Sequence, residues 1–195
     1  MPIVRWMTLG VAALALAGCG SKTETSSTET TTTTTTTNTD GGMMMANGTD
    51  MAPAPAVSAG QAFANAAASS DAFEIASSQL AEGQAESAAV KKFAASMIKA
   101  HTESTAKLKT AAGAITPDPT LTAEQQQALD SLKPLKGADF DKAYVAAQID
   151  AHEKTLAALK VNSADTNVPA SLRDFATKLS PTVAAHLNMA KGLKL

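Results

Sequence analysis

The chain has 195 residues, a formal net charge of −2, 45% hydrophobic residues and only 4% aromatics, with alanine supplying much of the apolar count. The near-neutral balance leaves no basic excess for nucleic acid, and the single cysteine, Cys19, excludes an internal disulfide framework. Alanine-rich, aromatic-poor composition suits closely packed helices better than sheets, which favour Val, Ile, Thr and aromatics.

Residues 1–19 read as an export signal. Arg5 and the free N terminus give a weak positive start, and Trp6 to Leu16 is an apolar run too short to span a bilayer as a mature helix. The run ends in Leu16-Ala17-Gly18-Cys19, which resembles the lipobox of bacterial lipoproteins. The resemblance implies lipid attachment to the Cys19 thiol, cleavage before it and acylation of the new amino terminus. Several acyl chains anchor stably where one is marginal. Gly20 is not the aspartate that often retains lipoproteins in the inner membrane, so the expected location is the outer membrane, facing the periplasm. The alternative is an ordinary secretory signal with a chance cysteine.

Residues 20–58 read as a tether. They are dominated by Thr and Ser, with an unbroken threonine run ending at Thr37, and have too little apolar surface to offset the entropy of ordering. Met43, Met44, Met45 and Met51 lie in its second half. They could offer soft thioethers to Cu(I), although an apolar patch in a linker explains them as well.

The bundle is expected over 59–195, a stretch with equal numbers of acidic and basic residues and no alternating apolar runs, hence no strands. A first long helix is predicted over about 60–82, with Phe63, Ala66, Ser70, Phe73, Ser77 and Leu80 as its inward seam and Glu74 at the seam's edge. A second is predicted over about 87–112, capped by Ser87 and stopped by Gly113. Its seam is Val90, Ala94, Met97, His101, Ser104, Leu108 and Ala111, and its lysines at 91, 92, 99, 107 and 109 lie off the seam. The short connection makes these two an antiparallel hairpin. Residues 113–137, broken by Pro117, Pro119, Pro134 and Gly137, form a long connection containing a short helix from Thr122 to about Leu132.

A third long helix is predicted over about 138–161, with Val145, Ile149, His152, Leu156 and Leu159 on its seam. The fourth, about 169–193, carries Leu172, Phe175, Leu179, Val183, His186, Ala190 and Leu193, with Pro181 expected to kink it near 177–181. The fold class is therefore all-α: an antiparallel four-helix bundle of two hairpins joined by a long connection.

All three histidines fall on inward seams, each on a different helix. Bundle cores commonly hold metals through side chains from facing helices. Glu74, His101, His152 and His186 would supply one ligand per helix, for iron, copper or zinc. Three separately hydrogen-bonded core histidines are the competing reading. The Glu-x-x-His pattern of di-iron bundles is absent: Ile98, Ile149 and Val183 stand three before the histidines. Counting from the turns leaves His152 and His186 offset by about 10 Å along the axis. Burial should hold all three imidazoles at or below the reference of about 6.5.

The stretches FANAAASSDAFEIASSQLAEGQAESAAVKKFAASMIKAHTEST, GADFDKAYVAAQIDAHEKTL and SLRDFATKLSPTVAAHLNMAKGL resemble the bacterial ferritin-like family catalogued as domain of unknown function 4142. The resemblance spans about 60–193. It rests on His101-Thr102, Asp150-x-His152-Glu153, and Leu179-x-Pro181-Thr182 followed by His186-Leu187. It implies a ferritin-like four-helix bundle, usually exported, with a helix-one glutamate at Glu74, and no established activity. Ala100 stands where many members have aspartate.

Two functions are then expected: a lipid-anchored periplasmic binding or structural module of the envelope, or a metal-binding bundle using the core histidines. No catalytic residue stands out, since no Ser-His-acid spacing is present and His152-Glu153 with Asp150 reads as a solvated helix face.

Overall fold

The computed structural model describes residues 57–195, which hold five helices and no strands. Cys19, nearly all of the 20–58 tether and its four methionines lie outside the described residues. The helices are α1 (Ala59–Gln84), α2 (Ala88–Ala112), α3 (Ala123–Leu132), α4 (Gly137–Ala164) and α5 (Ala170–Lys191). None is long and apolar enough to cross a membrane.

The ends follow local chemistry. Ser58 and Ser87 accept from the backbone N–H groups of Gln61 and Val90, satisfying donors that open α1 and α2. Thr122 and Gln125 form a reciprocal capping box on α3. Gly113 closes α2 at a φ of 61°, in the left-handed region that suits glycine. α5 runs through Pro181 as one helix. α1, α4 and the start of α2 differ from the sequence expectation by one to three residues, ordinary fraying of a boundary estimate.

α1 packs chiefly on α2, and α4 on α5, giving two antiparallel hairpins that face one another as a helical bundle. Two apolar clusters fill its ends. One gathers Phe63, Leu108, Leu159, Leu172 and Phe175; the other gathers Val90, Phe93, Met97, Phe140 and Tyr144. In the second, Phe140 stacks on Tyr144 at 5.7 Å, and the Tyr144 hydroxyl meets Ser78 Oγ at 2.7 Å.

Two contacts fix the hairpins against each other. Asp141, near the start of α4, is buried and accepts from the backbone N–H groups of Glu86 and Ser87 in the α1–α2 turn, at 3.2 and 2.8 Å. At the opposite end, Gly60 lies so close to Pro169 that an added Cβ would stand 2.6 Å from the proline ring.

Between the two apolar clusters lies a layer of buried polar side chains: Asp71, Glu74 and Ser77 from α1, His101 and Ser104 from α2, Gln148 and His152 from α4, and His186 from α5. The inward faces depart from the predicted seams here. Gln148 is fully buried while Ile149 and Leu156 are only half-buried, and Ala66 is exposed where the α1 seam was expected. α1 and α4 each touch three other helices, so their buried faces are wider than a two-in-seven seam.

Candidate metal centre

The three imidazoles meet in this layer. Their ring centroids are 5.6–5.7 Å apart in every pairing, and one ring nitrogen from each lies within 4.8 Å of the others. The axial offset expected between His152 and His186 shrinks because α4 extends to Ala164. His152 stands 12 residues before that end and His186 stands 16 after Ala170. The four-residue difference, about 6 Å at 1.5 Å per residue, is within the reach of two imidazoles.

Each ring is oriented by its hydrogen bonds. His101 Nδ1 lies 2.8 Å from Asp71 Oδ1, and a carboxylate can only accept, so this nitrogen carries the proton. Asp71 is held in turn by the Thr105 hydroxyl, which donates to Oδ2 at 3.1 Å. His152 Nδ1 lies 2.8 Å from the Gln148 carbonyl, which likewise must accept. Both rings are thus turned to leave Nε2 free, and neither Nε2 has a hydrogen-bond partner in the protein. His186 Nδ1 is buried without a partner as well. Each histidine therefore holds one unpartnered nitrogen in a buried layer, where a lost hydrogen bond costs roughly 1–3 kcal/mol. That donor set, three imidazole nitrogens with two fixed by outer acceptors, is what a zinc, copper or iron ion takes.

Glu74 lies beside the cluster and outside the three-nitrogen set. Its Oε1 is 3.5 Å from Nδ1 of His152, and its Oε2 is buried without a partner. Asp71 carries no signal from seam position, since the seam on α1 passes through Ser70 and Phe73. Level counting finds it: Asp71 stands 13 residues before the end of α1 and His101 stands 13 after the start of α2. Gln148, whose Nε2 donates to Ser77 Oγ at 3.2 Å, sits one turn before His152, and apolar spacing gives no signal for it because glutamine is an uncommon core residue.

Proton affinities follow the same geometry. Burial pushes the Glu74 carboxyl up to about 7, against the pull of His101. Burial pushes His152 down to about 4, the positive charge of His101 and of His186 adding to it. His186 is also pushed down to about 4 by burial and by His101. His101 departs from the expectation that all three would lie at or below the reference. Burial lowers it, but the Asp71 hydrogen bond and the charges of Glu74 and Asp71 together raise it above the ordinary histidine value.

An all-α bundle with three histidines converging in its core defines a class of protein, one whose interior could hold a metal ion. The chain belongs to the family described as domain of unknown function (DUF4142), whose model matches residues 46–193. No curated protein and no solved structure matches it.

Proposed function

We propose that the protein is a metal-binding bundle in which His101, His152 and His186 hold one divalent transition ion. The observation that carries this is the convergence of three buried imidazoles, each offering a ring nitrogen within 4.8 Å of the others and each holding one unpartnered nitrogen. A tetrahedral ion with bonds of about 2.0–2.1 Å keeps its nitrogens roughly 3.3 Å apart, so the rings must close by at most about 1.5 Å. Asp71 orients His101 and strengthens it as a donor. Asp71 supplies one negative charge, and Glu74, on giving up its proton as the cation enters, would supply a second against the ion's two positive ones. Glu74 is placed to become the fourth ligand if its side chain turns toward the free nitrogens. The arrangement is that of a ferritin-like four-helix bundle with one histidine on each of three helices.

We further propose that the bundle is exported and anchored by lipid on Cys19, facing the periplasm from the outer membrane, on the strength of the Leu-Ala-Gly-Cys run. Cys19→Ser should leave a precursor that partitions into the aqueous phase. Unchanged detergent partitioning would remove the lipid from this reading.

The metal reading is tested by melting the metal-free chain with added Zn(II), Cu(II) or Fe(II). At least one ion should raise Tm, by an amount that grows with its concentration and shrinks as protons compete at lower pH. His101→Ala should abolish the rise, Asp71→Asn should weaken affinity by about 10–100-fold, and Lys107→Ala should leave it intact. A Tm unmoved by all three ions sinks the metal centre and leaves a structural or partner-binding module.

A further inference from the structure

A cavity of about 40 Å³ adjoins the histidine layer, with His101, Asp71 and Ser104 on its polar side and Phe63, Leu159, Leu179 and Val183 among its apolar walls. Ser104 is the informative residue. α2 contains four other hydroxyl side chains, and every one lies within hydrogen-bond distance of a carbonyl of its own helix: Ser96 of Phe93, Thr102 of Ile98, Thr105 of His101 and Thr110 of Ala106. Ser104 does not. It is 4% exposed, and its Oγ has no partner in the protein. A buried hydroxyl that forgoes the ready i−4 carbonyl is a free hydrogen-bonding group at the edge of an open volume.

The size and lining select the occupant. One water needs about 10–15 Å³ of such space and two to four polar partners. This cavity has room for two or three heavy atoms, but its wall is almost entirely carbon. The Ser70 and Thr155 hydroxyls that edge it are already joined to each other at 3.0 Å, and both Asp71 oxygens are engaged by His101 and Thr105. A charged ligand would be stranded there, and the two or three waters needed to fill it would be under-bonded. We propose that the cavity is a pocket for a neutral diatomic gas, the class of dioxygen, nitric oxide and carbon monoxide, with the Ser104 hydroxyl and the His101 ring as its polar contacts. Ser104 and Leu179 also line a groove of about 750 Å³ between α2 and α5, which puts only those two side chains on both spaces. A gas held there lies against the ring of His101. The pocket itself needs no metal, and its failure is therefore separable from failure of the metal centre.

The test uses the full-length, metal-free chain and dioxygen itself. Methyl NMR spectra under dioxygen pressure are compared with spectra under nitrogen. Methyls of Leu159 and Val183 should show paramagnetic relaxation several-fold stronger than those of Val90 and Val145, which are equally buried in the other apolar cluster. Ala67→Leu, which fills the cavity, should bring the two sets level. Equal enhancement in both clusters of the wild-type chain overturns the proposal, whether or not the variant folds. So does a long-lived water showing a nuclear Overhauser effect to Ser104, because the occupant would then be polar.

Discussion

The Tyr144 end of the bundle and the histidine layer are both buried and both contain polar groups, yet they treat those groups differently. Around Tyr144 every polar demand is met: its hydroxyl pairs with Ser78, and Asp141 caps two backbone N–H groups. In the layer, Glu74, His101, Ser104, Gln148, His152 and His186 each keep a buried polar atom without a protein partner, and among the described residues these are the full set. The contrast separates groups kept for folding from groups kept for something else. A side chain that only had to fill space in the layer would be leucine. Six orphaned polar atoms gathered at one level are a standing cost of roughly 1–3 kcal/mol apiece, tolerated where a ligand can relieve it.

The contrast can be broken most forcefully at the satisfied end. Phe140→Ala removes a fully buried ring stacked on Tyr144, and urea unfolding should report a loss of about 3–5 kcal/mol. Asp141→Ala should cost about 1–3 kcal/mol by orphaning the Glu86 and Ser87 N–H groups. Changes confined to the α4–α5 turn, with the α1–α2 turn untouched in hydrogen exchange, would show that Asp141 is not the latch.

The layer should behave in the opposite sense. His186→Leu replaces a ring with an unpartnered buried nitrogen by an apolar side chain of similar size, so the metal-free chain should hold or gain up to about 1 kcal/mol while losing any metal-dependent rise in Tm. A metal-free loss of several kcal/mol would make His186 a structural residue and erase the contrast.

The smallest effect is read in pH. His152 and His186 are neutral in the fold down to about 4 but charge below about 6.5 when unfolded, so their contribution fades as pH falls through that interval. Glu74 runs the other way. It keeps its proton in the fold up to about 7 and loses it near 4.5 when unfolded, so stability drains away as pH rises between those values. His101, raised in the fold, adds to the loss on the alkaline side. Glu74→Gln should therefore raise Tm at pH 8 more than at pH 5. A gain that does not vary with pH would mean Glu74 is ionised throughout.

Most of the fold was legible because apolar spacing survives in the sequence. Four long helices, the short helix behind Thr122 and the inward placement of His101, His152 and His186 all follow from periods of three and four. What escaped was lateral. A seam says which side of one helix turns inward, but not which neighbour it meets. Asp71 lies one turn from Glu74 on α1, and only its level opposite His101 assigns it the ring. Gln148 and Tyr144 are buried because α4 is covered from three directions, which no single-helix period encodes. The raised proton affinity of His101 was missed for the same reason: it belongs to the Asp71 pair rather than to the residue.

Tyr144 also has an optical consequence. It is the one tyrosine in the sequence, and the one tryptophan, Trp6, lies outside the described residues. Within 57–195 the near-ultraviolet emission thus comes from a single phenol, buried at one end of the bundle and bonded to Ser78. That chromophore is a local witness. Its lifetime and anisotropy follow the Phe140 end, and a loosening confined to the Phe63 end would leave them unchanged while backbone circular dichroism fell. Two-colour unfolding, by phenol emission and by ellipticity, would therefore reveal whether the two ends come apart together or in turn.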